Sequence, residues 1–246
     1  MHNDQSVFTF NGYTLVVRSL EIIPLDGRFV VNTISPNSYG LSLCDKAMDE
    51  ALKGSDFLIL DGVHFGWLPR FKYGQKIKRI AGWDSFQFFS KKMQETKGRV
   101  FFLGSSEATL QKIIKNYQRD FPDITVGTYS PPFKPEFSED DNKAMFQVIN
   151  NFKPDILFVG LTAPKQEKWA YQNKDFLDVH IIATIGNVFD WYAGNSKRPS
   201  EFWQKIGMEW LARIFLRPEI FRRNIGNQLI FIWHLFLYLI KIKKTW

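Results

Sequence analysis

Short apolar runs alternate with amphipathic stretches along most of this chain, and this alternation constrains the fold more than any other feature. Six runs have the length and composition of buried strands: residues 28–34, 57–61, 99–104, 124–129, 155–161 and 179–186. Five segments between them show helical spacing: residues 39–53, 83–97, 106–119, 139–151 and 165–177. Strict alternation of strand and helix predicts a Rossmann-like α/β fold, with a mostly parallel sheet and helices on both faces.

Small and polar residues follow these apolar runs, and in an open parallel sheet ligands bind outside the carboxyl ends of the strands. We therefore expect a site at that edge, lined by Thr33, Ser35, Asp61, Gly104, Ser105, Gly160, Thr162 and Asn187. Asp61 allows two interpretations, an Asp-Gly turn or a general base in a cleft of low dielectric. Gly104 and Ser105 form either an ordinary strand-to-helix turn or a phosphate site built from backbone N–H groups.

Charge and composition set the C-terminal part of the chain apart. The 32 Lys and Arg against 25 Asp and Glu give a net charge of +7, which suits an anionic partner. Basic residues in 217–224 and 241–244 flank the apolar stretch Leu229–Ile240, which is shorter than the ~20 residues of a membrane span. We expect a catalytic domain over residues 1–197 and a helical appendage over 198–246 with an interfacial, membrane-associating tail. This pattern does not favour nucleic acid.

Several kinds of site are not supported. The four His are not at ligand spacing and no Asp-x-Asp is present, so we expect no metal; no cofactor motif or nucleophile elbow is present either. Without a metal, arginines among the aromatic residues of the appendage are an alternative means of neutralising a diphosphate, although such a charge run is usually a solvated face. The lone Cys44 is expected to be an inert packing residue, and the missing secretory signal favours the cytoplasm.

A series of motifs carries a resemblance to a known family. In order along the chain they are TISPNSY, LILDG, KRIAGWDSF, VFFLGSS, PDILFVGLTAPKQEKW, IGNVFDWYAG, KRPSEFWQKIGMEWLARIFLRP and FRR. Together, from about Val30 to Arg223, they resemble the WecG/TagA/CpsF glycosyltransferase family. The resemblance implies a membrane-associated cytoplasmic enzyme that moves a sugar from a UDP-sugar to a polyprenyl-diphosphate-linked sugar, with inversion and without a metal.

The same resemblance implies roles for individual residues. Asp61 matches the proposed catalytic base and Thr33 a threonine of the active-site pocket. Further matches to substrate-binding positions are Arg79, Asp84, Gln166, Arg213 and Arg223. The sequence departs from the family pattern at Ser35, where an asparagine is usual, at Ile220, where an arginine is common, and at Arg217, where a glutamate often stands. Relative to the family pattern, a cationic residue thus stands at 217 and not at 220, and Arg217 is added to the candidate substrate-binding residues.

We therefore predict an inverting hexosyltransferase of capsule, exopolysaccharide or wall polymer synthesis, attached peripherally to the inner face of the bacterial plasma membrane. Its donor would be a UDP-sugar, N-acetylmannosamine or a related hexose, and its acceptor an undecaprenyl-diphosphate glycolipid. The alternative is a non-catalytic nucleotide- or lipid-binding module. Gln166 is expected to point toward the bound substrate, and Lys165 and Glu167 to form local ion pairs. The oligomeric state stays open, including a homo-oligomer in which the tail completes a neighbour's site.

Overall fold

A single eight-stranded sheet organises the part of the chain that the computed structural model describes, residues 7–17, 19–61, 80–198 and 218–244. Its strands are β1 (Val7–Phe10), β2 (Tyr13–Val16), β3 (Phe29–Ile34), β4 (Phe57–Leu60), β5 (Arg99–Gly104), β6 (Thr125–Tyr129), β7 (Ile156–Gly160) and β8 (Ile181–Thr184). They lie in the order β1-β2-β4-β3-β8-β7-β5-β6. Every neighbouring pair is parallel except β1 and β2. The predicted α/β fold is confirmed.

Helices connect the strands. Among the described residues they are α1 (Pro36–Ser42), α2 (Lys46–Lys53), α3 (Gly82–Thr96), α4 (Glu107–Asp120), α5 (Glu139–Phe152), α6 (Lys165–Asn173), α7 (Val188–Tyr192) and α8 (Pro218–Lys244). Short 3-10 turns occupy Leu20–Ile22 and Lys174–Phe176. The hydroxyl groups of Ser106 and Ser138 accept backbone N–H groups at the starts of α4 and α5. These two helix starts were predicted from the sequence, and both are confirmed.

The six predicted strands are confirmed within two residues at each end, but three details were not predicted. The β1–β2 hairpin and the short helix α7 were missed. The segment 39–53 is two helices, because the chain leaves α1 after Ser42 and the Asp45 carboxylate accepts the Met48 N–H to start α2. Cys44 lies in the connection between them and is exposed, so the expectation that it packs in the core was wrong.

The central strands are buried on both faces. Phe102 and Phe158 pack on one face against Phe86 of α3 and Tyr117 of α4. On the other face Leu103, Leu157 and Val159 pack against residues of α5 and α6. Strands covered in this way read as continuous apolar runs, which is why periodicity located them.

The C-terminal helix α8 is docked on α1 and the β1–β2 hairpin. Phe231 and Leu235 are buried there with Phe10 and Tyr39. The Tyr39 hydroxyl lies 2.7 Å from His234 Nδ1, and Gly40 allows a close crossing because a Cβ at that position would lie 2.4 Å from Cβ of Asn227. Among the described residues, no helix has the length and hydropathy needed to cross a membrane.

Candidate active site at the carboxyl edge of the sheet

The predicted site residues follow five adjacent strands. Along the sheet, Asp61 follows β4, Thr33 lies near the end of β3, Gly186 follows β8, and Gly160 and Gly104 end β7 and β5. Neighbouring strands lie ~4.8 Å apart, so Asp61 and Gly104 are about 19 Å apart across four such steps. One sugar ring cannot contact both positions, whereas an extended ligand lying along the edge can.

The pairing of β3 and β4 places Asp61 and Thr33 on neighbouring strands, with Thr33 opposite Ile59, two residues before Asp61. The Asp61 N–H donates to the carbonyl of Ile34 at 2.8 Å, so the ladder continues one residue past β4. Both side chains are half-buried. Thr33 Oγ1 lies 3.5 Å from the carbonyl oxygen of Thr184, so this hydroxyl is turned toward β8, the neighbour of β3 on the side away from β4.

A buried polar pair lies beneath Thr33 and was not predicted. Thr184 Oγ1 donates to Asn32 Oδ1 at 2.7 Å, and Asn32 Nδ2 donates to Ser55 Oγ at 2.9 Å. Asn32 and Thr184 are fully enclosed in the sheet. An asparagine inside the apolar run FVVNTI was the available sequence signal, since a buried amide requires partners. The pair ties β3 to β8 directly below the site.

Ser35 and Asp84 both cap helices. The Ser35 hydroxyl accepts the Ser38 N–H at 3.2 Å at the start of α1, and the Asp84 carboxylate accepts the Ala81 N–H at 2.8 Å at the start of α3. These bonds satisfy backbone donors that the helix itself leaves unpaired. Substrate contact by either residue stays a prediction.

The turn after β5 has an unusual backbone. Gly104 and Ser105 have φ angles of 124° and 60°, both on the left-handed side. A Cβ on Gly104 would lie 2.5 Å from the carbonyl oxygen of Gly160, so the adjacent strands β5 and β7 require a glycine here. The Ser130 hydroxyl donates to the Ser105 carbonyl at 2.8 Å and fixes the turn. Contact of this turn with a phosphate stays a prediction.

Gly160 and Gly186 make room for side chains. A Cβ on Gly160 would lie 2.5 Å from the ring of Phe189 on α7, so packing explains why this position is glycine. The ring fills the space that a side chain at Gly160 would occupy, and contact of a ligand with Gly160 stays a prediction. Gly186, with a φ angle of 52°, lies against the carboxamide of Gln166. Thr162 and Asn187 are exposed at the same edge.

The first turn of α6 differs most from expectation. Gln166 and Glu167 are buried, with 7% and 2% of their surface exposed, and Gln166 Nε2 donates to Glu167 Oε1 at 2.9 Å. Burial raises the pKa of Glu167 to about 7, although the Gln166 hydrogen bond opposes the shift. Gln166 Oε1 and Glu167 Oε2 have no hydrogen-bond partner among the described residues.

The predicted ion pairs of Lys165 and Glu167 were wrong within the part of the chain that the structure describes. Lys165 Nζ donates to the carbonyl of Lys134 at 2.5 Å and lies 3.4 Å from the centre of the Phe137 ring. Burial lowers the pKa of Lys165. The proline-rich loop over residues 130–137 therefore covers Lys165, and Glu167 turns inward to Gln166.

The arginines are a further group of predicted site residues. Arg79, Arg213 and Arg217 lie outside the described residues, and so does the side chain of Arg223 on α8. Sequence reasoning missed Arg198, whose guanidinium lies 5.2 Å from the ring centre of Trp83 and 5.8 Å from that of Trp191. No group of three or more His, Cys, Asp or Glu able to hold a metal occurs in the described ranges. A metal-independent reaction stays a prediction.

Comparison with known proteins supplies an independent line of information. The sequence model of the WecG/TagA/CpsF family of glycosyl transferases matches residues 9–245. A relative from Bacillus spizizenii, an N-acetylglucosaminyldiphosphoundecaprenol N-acetyl-beta-D-mannosaminyltransferase, is 29% identical over 91% of this chain and 86% of its own length. A relative with the same name from Bacillus subtilis is 25% identical over 80% of this chain and 75% of its own.

Proposed function

The chain belongs to the WecG/TagA/CpsF glycosyltransferase family, and on that premise we propose that it transfers a hexosyl group to a polyprenyl-diphosphate-linked sugar. The names of both relatives specify a mannosaminyl group and an acceptor linked to undecaprenyl diphosphate, which supports this acceptor class. The proposed donor is a UDP-sugar carrying N-acetylmannosamine or a related hexose. The product would enter the synthesis of a capsule, an exopolysaccharide or a wall polymer.

The observation that carries the proposal is the adjacency of Asp61 and Thr33 at the ends of β4 and β3. Inversion needs a base that takes the proton of the acceptor hydroxyl while its oxygen attacks the anomeric carbon and UDP leaves from the opposite face. Asp61 is the candidate for that base. Thr33, one strand further along, would hold a hydroxyl of either sugar in place.

The rest of the edge suits the leaving diphosphate. Charge builds up on UDP as the glycosidic bond to the donor breaks, and preorganised donors or cations stabilise it. The turn at Gly104 and Ser105, ahead of α4, would supply backbone N–H groups roughly 19 Å from Asp61, a separation that suits an extended nucleotide-sugar better than a single ring. We further propose that Arg79, Arg213, Arg217 and Arg223 contribute the cations.

The exposed face of α8 supports attachment to a lipid surface. Leu229, Ile232, Trp233 and Phe236 are between 52% and 59% exposed on the side opposite Phe231 and Leu235. Aromatic and aliphatic residues of this kind suit the headgroup boundary, and the lysines at 241, 243 and 244 of the sequence suit anionic lipid. We propose that residues 198–246 bring the site to the inner face of the plasma membrane, where a polyprenyl-linked acceptor would be held.

Replacing Asp61 tests the reaction directly. Asp61→Asn should lower transfer from a panel of UDP-sugars to a short-chain polyprenyl-diphosphate sugar by roughly 10²–10⁴-fold, the usual contribution of a general base. Asp175→Asn, at an exposed aspartate before β8 and thus at the opposite edge, should stay within about twofold of the native rate. Product mass and UDP release are measured. Full activity in Asp61→Asn would rule out Asp61 as the base. If the native protein bound the UDP-sugar but released no UDP in the presence of acceptor, a non-catalytic module would be favoured.

A further inference from the structure

Two neighbouring side chains in the first turn of α6 each leave one buried oxygen without a hydrogen bond. These atoms are Gln166 Oε1 and Glu167 Oε2, and neither has a partner among the described residues. A buried polar atom that lacks a partner is unfavourable, so each such atom in a native fold calls for a reason. One such reason is a ligand that supplies the missing hydrogen bond. The position of the pair fits this reason, because the Gln166 carboxamide lies against Gly186 at the carboxyl end of β8, where the candidate site is.

The chemistry of the pair decides which end of the carboxamide a ligand would meet. An ionised carboxylate only accepts hydrogen bonds, so Glu167 requires the NH₂ group of Gln166 to face it, as it does at 2.9 Å. The carboxamide oxygen is then turned away from Glu167. A protonated Glu167 can instead donate its O–H to that oxygen, which would allow the carboxamide to rotate and present its NH₂ group.

We propose that Glu167 is a positioning residue, which holds the Gln166 carboxamide with its oxygen toward the donor sugar. The site then selects a sugar that carries a hydroxyl or an acetamido N–H facing this oxygen. The identity of the ligand rests on the proposed function, whereas the orientation of the carboxamide does not. A site that offers only an acceptor oxygen there discriminates against a sugar that lacks the matching donor.

The surroundings of Glu167 allow its charge state to determine the orientation of the Gln166 carboxamide. Burial raises its pKa to about 7, so both protonation states are populated near neutral pH. Lys168 on the same helix opposes this shift, but Lys168 is itself bound to Asp45 at the start of α2, 2.9 Å away. The strands β3, β7 and β8 beneath α6 contain no charged residue.

A pH titration followed by NMR tests the orientation without any transfer reaction. In the ¹⁵N-labelled full chain, the side-chain amide signals of Gln166 are identified by their loss in Gln166→Met. We expect these signals to shift with a midpoint near pH 7 in the native protein and to stay constant in Glu167→Gln, which keeps shape and polarity but cannot ionise. A native signal that does not titrate overturns the positioning role.

Kinetics then test selection of the donor. At pH 8, Glu167→Gln should lose at least tenfold in kcat/KM, because a neutral side chain at this position no longer fixes the carboxamide, and it should also lose the limb of the pH profile near 7. Native enzyme should discriminate by roughly a hundredfold or more against one deoxy-UDP-sugar of a positional series, and Glu167→Met should reduce that ratio at least tenfold. An unchanged ratio in a folded Glu167→Met, or an unchanged pH limb in Glu167→Gln, overturns the proposal. Absence of transfer by native enzyme would instead count against the proposed function, and the NMR result would still decide the orientation.

Discussion

At the scale of single residues, Glu167 links burial to the pH dependence of folding. Its pKa is raised from 4.5 to about 7 in the folded protein, so the folded state holds a proton that the unfolded chain releases. The contribution of this group to stability is therefore complete below about pH 4.5 and is lost as the pH rises through 7. The loss amounts to about 3 kcal/mol, since each pKa unit corresponds to about 1.4 kcal/mol.

We predict that Glu167→Gln removes this slope. Its free energy of unfolding, measured by urea denaturation between about pH 4.5 and pH 8, should fall less with rising pH than that of the native protein, by about 3 kcal/mol over the range. Glu50→Gln, at an exposed glutamate of α2, serves as the control and should keep the native slope. Identical slopes in Glu167→Gln and the native protein would show that Glu167 is not buried as described.

A second residue-scale prediction concerns Gly160. Gly160→Ala places a Cβ 2.5 Å from the Phe189 ring, and the enclosed end of β7 leaves little room to adjust. We expect a loss of about 1–3 kcal/mol, as for other overpacked sites. Gly226→Ala on α8 meets no atom within 4 Å and should stabilise the helix by up to about 1 kcal/mol. Thermal unfolding of both variants measures the difference, and equal midpoints would contradict the packing.

Residue types at strand ends could be predicted from the sequence, but their neighbours could not. Asp61 follows an apolar run, Gly104 ends one and Thr33 lies near the end of one, so all three are at the carboxyl edge, and that rule needs no tertiary information. The burial of Gln166 and Glu167 depends on how α6 packs on the sheet, and the Gln166 carboxamide also depends on the space left by Gly186. The spacing of apolar residues within α6 does not contain this information, so the polar residues at the start of this helix were expected to be exposed to solvent.

At the scale of elements, the hairpin β1–β2 and the break between α1 and α2 were not predicted, although the sequence contains a local signal for each. The hairpin β1–β2 has two strands of four residues, and each lies at or next to the edge of the sheet. Its turn, Asn11-Gly12, has φ angles of 46° and 84°, and an Asn-Gly pair between alternating apolar residues is a strong hairpin signal. The break between α1 and α2 was also marked, by Asp45, a residue type that starts helices.

The two faces of α8 give an element-scale prediction. Phe231→Ala removes a fully buried ring that contacts Phe10 and Tyr39, and it should cost about 3–5 kcal/mol of stability. Phe236→Ala, at a ring 53% exposed on the other face of the same helix, should cost less than about 1 kcal/mol. Urea denaturation of the two variants measures both values. Similar losses, or no loss in Phe231→Ala, would mean that α8 does not dock on α1 as described.

At the scale of the whole molecule, the docking of α8 connects the outer surface to the candidate site. The helix α1 begins at Pro36, directly after the end of β3, and α8 crosses α1 where Gly40 meets Asn227. Ile34, the last residue of β3 and the neighbour of Thr33 in the chain, belongs to the same buried cluster as Phe231 and Leu235 of α8. A surface that holds α8 would also hold the carboxyl edge of the sheet at a constant distance from it.

The exposed face of α8 therefore provides the whole-molecule prediction. The double variant Trp233→Glu, Phe236→Glu makes acidic two apolar side chains that would enter the headgroup region. Burying half the surface of each native side chain contributes about 1 kcal/mol or more to the free energy of membrane binding. Binding of the double variant to vesicles containing anionic lipid should therefore fall at least tenfold. Phe176→Glu, which alters an aromatic ring 62% exposed elsewhere on the surface, is the matched control and should bind as the native protein does.

Two acceptors separate anchoring from chemistry in that double variant. With a long-chain acceptor embedded in vesicles, transfer should fall along with binding, because enzyme and acceptor no longer share a surface. With a water-soluble short-chain acceptor, kcat/KM should stay within about threefold of native, since both substituted residues point away from the core that supports the sheet. Equal losses with both acceptors would mean that this face supports the active site itself. Unchanged vesicle binding with a change in molecular mass would instead identify it as a contact between copies of the chain.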